Sequence, residues 1–154
     1  MKRGTPKIGD IIQIRTGSGY AYAQLTHRNK LLGFLVRVLP GIHPDPVRDY
    51  NQVVNVKELY YTFLFREDLN EVPRTETVGN APVLESCKQF PLFRDGVANP
   101  ETRRVAVWWL WDGEKEWPIG KLNDEQNTLP LRHIWTSVLL VKRIEAGWLP
   151  MYEV

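Results

Sequence analysis

Alternating side-chain character over the first forty residues is the feature that most limits how this chain can fold. Within Tyr20–Leu25 the even positions are Tyr, Tyr and Gln, whereas the odd positions are Ala, Ala and Leu. A period of two places successive side chains on opposite faces of a strand. Apolar runs at Ile8–Ile14 and Leu31–Leu39 flank this segment, and short turn-forming segments separate all three. The pattern predicts an antiparallel meander of three strands.

Proline interrupts the middle of the chain. Pro40-Gly41 ends the meander, and two further prolines flank Asp45, where a regular strand ladder cannot form because proline has no N–H to donate. The aromatic run Leu59–Phe65 is typical of a strand that is buried on both faces. From Glu67 to Pro100 there are four prolines. We expect only short edge strands and loops in that stretch.

A tryptophan-rich hairpin is expected next. Tryptophan occupies three of the four positions in Trp108–Trp111, and Asp112-Gly113 follows. This dipeptide matches the positive φ angles of a type I′ turn. Large aromatic side chains lie on both faces of the predicted strand, so either the fold covers both faces or one face is kept for a partner. Burial within the domain is the more common outcome for such residues.

The length of the hairpin loop decides which residues face each other. A loop of two residues would place Trp108 opposite Trp117 and Trp109 opposite Glu116. A longer loop would shift that register.

One helix is predicted, near the C-terminal end. Thr136 or Ser137 can cap its start, apolar residues follow at helical spacing, and Gly147 suits the left-handed position after the last turn. A strand from Val138 to Ile144 is the competing interpretation. Together the elements predict an α+β, mainly β protein in a single domain over residues 1–154. We expect a strongly bent antiparallel sheet or SH3-like partial barrel with one C-terminal helix.

Composition and charge narrow the class of protein. The chain is 43% hydrophobic and 25% charged, which is typical of a globular protein. Twenty basic and eighteen acidic side chains give a formal charge of +2, too balanced to indicate a nucleic-acid-binding arm or a membrane-seeking patch. The longest apolar runs are far shorter than the ~20 residues of a spanning helix, and no long apolar segment follows the basic start. We expect a cytoplasmic protein.

Residues that could carry chemistry are scattered. His27, His43 and His133 have no metal-ligand spacing, and the single cysteine, Cys87, has no neighbouring His or Asp. Gly17-Ser18-Gly19 leads into a strand rather than a helix, which is typical of a turn and not of a phosphate-binding loop. We expect no catalytic residues, no metal and no cofactor, and a protein that acts by binding.

Three segments carry a resemblance to a known family. Lys7–Ile14 followed by Gly19–Leu25 is similar to an opening hairpin of the form G-D-hydrophobic then G-x-Y-A-Y. Trp117–Gly120 looks like a W-x-hydrophobic-G segment, and Leu139–Pro150 is similar to the corresponding tail. On these segments the chain resembles the immunity protein 26 family of bacterial polymorphic-toxin systems. The resemblance implies a mostly β protein, encoded beside a toxin gene, that neutralises that toxin by direct binding.

An inhibitor of this kind needs exposed aromatic and arginine anchors surrounded by charges that guide the partner. The predicted anchors are Tyr20, Tyr22, Arg37 and Trp117. The predicted rim charges are Asp112, Glu114 and Glu116. The sequence leaves the identity of the toxin and the oligomeric state open.

Two other functions stay open at this point. In a nucleic-acid-binding or RNA-cleaving small β-barrel, Arg28, Lys30 and Arg37 would contact phosphates while the tyrosines stacked on bases. The near-neutral charge argues against nucleic acid as a partner. A carbohydrate- or small-ligand-binding module would need an exposed pair of tryptophan rings beside a groove.

Overall fold

The computed structural model describes residues 4–153, so the basic start at 1–3 and Val154 lie outside the described residues. In the described part nine strands form two sheets, which confirms the predicted α+β, mainly β fold. The elements are β1 (Asp10–Thr16), β2 (Gly19–Asn29), β3 (Gly33–Val38), α1 (Tyr50–Val54), β4 (Tyr60–Leu64), β5 (Thr75–Asn80), β6 (Phe93–Asp95), β7 (Trp108–Trp111), β8 (Glu116–Gly120), β9 (Ile134–Trp135) and α2 (Ser137–Glu145).

The larger sheet has the strand order β5-β1-β2-β3-β4-β9. Strands β1 to β3 form the predicted antiparallel meander, β4 continues it, and β5 returns to pair with β1. Only β9 is parallel to its neighbour, β4, among the described strands. The register shifts between Ile11 and Ile12 and again between Leu25 and His27, and such bulges bend and twist a sheet locally.

Both faces of β2 are covered, as its alternation indicates. Ala21, Ala23 and Leu25 belong to a core cluster that packs against apolar residues of α2. Tyr22 belongs to a second cluster on the other face, together with Val54 at the end of α1. The segment between β3 and β4 therefore covers a face that the sequence alone left open.

The prediction that Arg37 is exposed is wrong. Its side chain is 0% exposed. Its Nε donates to Gln24 Oε1 at 3.0 Å, while its Nη1 and Nη2 donate to the carbonyl oxygens of Val56 and Val54 at 2.9 and 2.5 Å. Gln24 in turn donates to the carbonyl oxygen of Ala81 at 2.8 Å. Arg37 is buried because the segment between β3 and β4 packs over it, and its guanidinium donates to carbonyl groups at and just after the end of α1.

Tyr22 is not an exposed anchor either, since it is 1% exposed. Its hydroxyl donates to Gln13 Oε1 at 2.9 Å and accepts from the Val47 backbone N at 2.7 Å. Burial raises the pKa of this tyrosine above its usual value, which the hydrogen bond from Val47 partly offsets. Tyr20 is half-buried, and its backbone forms two hydrogen bonds of 2.7 Å with His43.

The C-terminal helix forms where it is predicted, and the competing strand interpretation is wrong. Thr136 is the N-cap, and its side-chain oxygen accepts from the backbone N of Leu139 at 3.2 Å. At the other end Gly147 has a φ of 65°, and the Trp148 backbone N donates to the carbonyl oxygen of Arg143 at 2.9 Å. The first bond satisfies a backbone N–H of the first turn, and the second satisfies the Arg143 carbonyl of the last turn. The sequence does not predict the short helix α1.

Candidate functional site

Strands β7 and β8 and the turn between them form the tryptophan hairpin, defined here as residues 108–120. Its loop has four residues rather than two, because Asp112 caps it. The Asp112 carboxylate accepts hydrogen bonds from the backbone N atoms of Glu114 and Lys115 at 2.9 and 2.8 Å. The Asp112 backbone N donates to the Lys115 carbonyl oxygen at 3.1 Å, and Gly113 takes a φ of 101°.

The longer loop changes the register that a two-residue turn would give. Leu110, rather than Trp108, lies opposite Trp117, and Trp109 lies opposite Pro118. Directly opposed residues of an antiparallel pair share a face. Trp109 and Trp117 therefore lie on opposite faces of the hairpin.

The hairpin is anchored to the larger sheet by aromatic packing. Trp111 is 3% exposed, and its ring centroid lies 5.3 Å from Phe93 and 6.0 Å from Phe63 of β4. Phe63 and Phe93 stack on each other at 5.3 Å. Close-packed rings of this kind hold a strand in a defined position. The exposed residues of the hairpin are therefore presented on a rigid base.

A buried arginine, Arg94, packs against Trp108 of the hairpin. Arg94 is 0% exposed, and its guanidinium lies 4.9 Å from the centroid of the Trp108 ring. Its Nε donates to the carbonyl oxygen of Leu129 at 3.1 Å, and its Nη2 donates to that of Pro150 at 2.5 Å. Burial lowers the pKa of Arg94, although the nearby Glu153 opposes the shift. Trp108 is half-buried on this support and is not available as a free anchor.

Two tryptophans of the hairpin are left partly exposed. Trp109 and Trp117 each expose 38% of their surface. Strand β8 lies at the edge of the smaller sheet, whose order is β6-β7-β8. Pro118 in the middle of β8 has no N–H, which disfavours addition of another strand at this edge. We therefore expect a partner to contact this edge through side chains rather than through the backbone of β8.

Carboxylates dominate the tip of the hairpin. Asp112, Glu114 and Glu116 are all exposed. Hydrogen bonds from the backbone N atoms of Lys115 and Glu114 hold the pKa of Asp112 below its usual value. Glu116 forms an ion pair of 2.5 Å with Arg132, whose guanidinium also lies 4.3 Å from the Trp111 ring centroid. The tip therefore combines aromatic surface with a negative rim.

The structure brings only some of the predicted site residues together. Asp112, Glu114, Glu116 and Trp117 share the tryptophan hairpin, whereas Tyr20, Tyr22 and Arg37 lie in the larger sheet.

The sequence misses Arg132, which reaches Glu116 across 16 positions of the chain and belongs to no named strand or helix. No local pattern signals such a contact. The sequence also does not show that Trp109 is 38% exposed, because exposure depends on which distant segments cover its face of the hairpin.

Comparison with known proteins identifies no relatives. No family model matches the chain, no curated protein matches it, and no solved structure matches it. Among residues 4–153, no helix is both long enough and apolar enough to cross a membrane. In the same residues, no group of three or more His, Cys, Asp and Glu side chains is arranged to hold a metal ion.

Proposed function

We propose that this protein is a cytoplasmic immunity protein that neutralises a cognate bacterial toxin, encoded by a neighbouring gene, by direct protein–protein binding. The observation that carries the proposal is the pair of half-exposed tryptophans, Trp109 and Trp117, on a rigid hairpin with charged neighbours. Tryptophan is the side chain most enriched among residues that dominate binding energy, above all where a polar rim surrounds it. The three-segment resemblance to the immunity protein 26 family supports the same function.

The hairpin also suggests the chemistry of the partner. Its tip carries the carboxylates of Asp112, Glu114 and Glu116 against two cations, Lys115 and the Arg132 that pairs with Glu116. A complementary surface on the toxin is basic and offers an apolar cleft that accepts an indole ring. A specific interface of standard size, about 1,600 Å² in total, extends beyond the hairpin onto neighbouring loops. Neutralisation then follows from occlusion of the toxin surface rather than from any reaction.

A binding experiment with the product of the neighbouring gene tests the proposal. We expect a complex that survives at micromolar concentration, and a loss of affinity of about 30-fold or more for Trp117→Ala and for Trp109→Ala. Phe65→Ala is the matched control, because Phe65 is 42% exposed but lies outside the hairpin, just after β4. We expect it to change the affinity by less than about threefold. Calorimetry or surface plasmon resonance measures all three variants.

Two results would count against the proposal. One is the absence of any complex at micromolar concentration, and the other is equal affinity for the tryptophan variants and the Phe65 control. Salt-dependent binding of RNA by the isolated protein would favour the nucleic-acid alternative instead. Arg28 and Lys30 are exposed and could contact phosphates, whereas Arg37 is buried.

A further inference from the structure

A groove on one face of the tryptophan hairpin has both apolar and charged groups in its wall. Its volume is about 410 Å³, and its wall comes from the residues around the end of β6, the residues just before β7, and the hairpin itself. Val97, Val107 and Trp109 in this wall are 89%, 47% and 38% exposed. Contiguous apolar surface of this kind marks a contact site more often than scattered exposed residues do.

The same face of the hairpin already holds one guanidinium. Arg132 places its guanidinium 4.3 Å from the ring centroid of Trp111 and forms an ion pair of 2.5 Å with Glu116. The indole ring attracts the cation through its negative face, and the carboxylate supplies the opposite charge. The hairpin therefore shows, within its own structure, how it binds a guanidinium.

Trp109 repeats this arrangement without the cation. It lies two residues before Trp111, so the two rings share a face of β7 and lie about 7 Å apart along the strand. Asp95 is directly opposite Trp109 in the register of β6 and β7, just as Glu116 is directly opposite Trp111 in the register of β7 and β8. Among residues 4–153, no cation lies over the Trp109 ring.

Asp95 has a carboxylate oxygen that an incoming cation can reach. Its Oδ1 accepts from the backbone N of Gly96 at 2.9 Å. Its Oδ2 lies 3.8 Å from Arg132 Nη1, which is beyond hydrogen-bond distance, and the side chain is 37% exposed. Arg132 is held much closer to Glu116. Two carboxylates therefore share one guanidinium at this end of the groove, and one negative charge is left in excess.

We propose that this groove receives an arginine side chain of the partner protein, with its guanidinium against the Trp109 ring and paired with Asp95 Oδ2. The inference rests on the proposed function, because the partner is the toxin. A guanidinium is planar and weakly hydrated, so it stacks on an indole ring better than the ammonium group of lysine does. At about 30 Å³ for each of its seven non-hydrogen atoms, the side chain occupies roughly 200 Å³ and fits the groove. Its aliphatic stem covers Val97 and Val107.

A short peptide tests the groove without the toxin. The probe is acetyl-Gly-Arg-Gly-amide, and the uncharged control is the same peptide with citrulline, which keeps the planar shape. NMR titration of the full chain follows the indole N–H signal of Trp109, identified by its absence in Trp109→Phe. We expect a saturable shift with a Kd of about 10 mM or tighter for the arginine peptide. The citrulline peptide should bind at least about fivefold more weakly, and the lysine peptide at least about threefold more weakly.

Two variants test the groups that hold the guanidinium. Asp95→Asn keeps the acceptor for Gly96 and removes the charge, so it should fold normally and weaken binding of the arginine peptide about fivefold. Asp124→Asn is its control, because Asp124 is exposed and lies outside the groove. Trp109→Leu should weaken binding about fivefold, followed through the backbone N–H of Gly96. Trp117→Leu removes the ring on the opposite face and should leave the Kd within about twofold, as should Asp124→Asn.

The toxin complex gives a second measurement. We expect Asp95→Asn to lower the affinity for the toxin about tenfold, and this loss should disappear once a single arginine of the toxin is replaced by alanine. A complex whose affinity is unchanged by Asp95→Asn would overturn the inference and leave the proposed function intact. The expected peptide results without any toxin complex would count against the proposed function alone.

Three results with the peptides would also overturn the inference. One is the absence of a saturable shift, and another is equal binding of the arginine peptide and either of the other two peptides. The third is a Trp109 signal that moves with protein concentration when no peptide is present, because a second copy of the chain would then fill the groove.

Discussion

At the scale of single residues, two buried arginines donate hydrogen bonds to backbone carbonyl oxygens, as backbone N–H groups do within strands and helices. Arg37 and Arg94 are the largest fully buried side chains among the described residues. Most of their hydrogen bonds end on backbone carbonyl oxygens of segments outside the strands. A guanidinium carries five donors in a fixed plane, so one side chain can satisfy several carbonyl groups at once. Irregular loops are thereby fixed to the sheet.

Substitution of Arg37 tests this role. Arg37→Met leaves the carbonyl oxygens of Val54 and Val56 and the side-chain oxygen of Gln24 without their donors. We expect the free energy of unfolding to fall by about 3 kcal/mol, since each buried group left unpaired costs about 1–3 kcal/mol and partial relaxation recovers some of it. Urea unfolding followed by circular dichroism measures the change.

Arg15→Met is the control for that measurement. Arg15 is exposed on β1, so its loss should change the free energy of unfolding by no more than about 0.5 kcal/mol. Equal effects of the two substitutions would show that the hydrogen bonds of Arg37 contribute little to stability.

At the scale of elements, the local chemistry of the turn sets the hairpin register. Gly113 has a φ of 101°, and a Cβ placed there would lie 2.9 Å from the Phe90 ring. Gly120 has a φ of 79°, but a Cβ at that position meets no atom within 4 Å. Gly120→Ala therefore carries backbone strain alone, whereas Gly113→Ala adds a steric clash.

We expect Gly120→Ala to lower the free energy of unfolding by about 1 kcal/mol, the usual effect of a side chain at positive φ. Gly113→Ala should lower it by about 2–4 kcal/mol, because displacement of a packed ring adds about 1–3 kcal/mol. Chemical denaturation of the two variants gives the difference. A smaller loss for Gly113→Ala than for Gly120→Ala would mean that the turn moves away from Phe90 at little cost.

Some elements follow directly from the sequence, and others do not. Strands β1 to β3 and the cap of α2 depend on alternation and on side chains within three positions of the helix start, so local patterns predict them. The hairpin strands are predicted as well, but their register is not. Asp112 selects a four-residue loop through hydrogen bonds to Glu114 and Lys115, and the same dipeptide also suits a two-residue turn.

At the scale of the whole molecule, buried tyrosines couple stability to alkaline pH. Burial is the largest cause that raises the pKa of Tyr22, Tyr60 and Tyr61 above their ordinary value of 10.0. The folded state therefore resists ionisation that the unfolded state undergoes near that value. Stability from this source is fully present below about pH 10 and is lost as the pH rises further.

We therefore expect the urea midpoint of unfolding to fall steeply between about pH 10 and pH 12, with little change from about pH 8 to pH 9.5. Tyr60→Phe removes one of the three hydroxyls with a raised pKa, so its midpoint should fall less over the same range. Identical pH profiles for the two proteins would show that Tyr60 does not contribute to the alkaline transition.

Some residues of the candidate site could be predicted from local sequence, and others could not. Residues of the hairpin tip, Asp112, Glu114, Glu116 and Trp117, are predicted correctly as exposed because charged turns of a hairpin usually lie in solvent. Tyr22 and Arg37 are buried instead, because the segment between β3 and β4 packs over their face of the sheet.

The sequence by itself determined the alternation of side chains within β1 to β3, apart from the two bulges, and the start and end of α2. Both properties depend on neighbours only a few positions away. The tertiary structure alone decided which of those side chains face solvent and which carbonyl groups Arg37 satisfies. Burial is a property of segments that are distant in the chain and come together only on folding, so no local period records it.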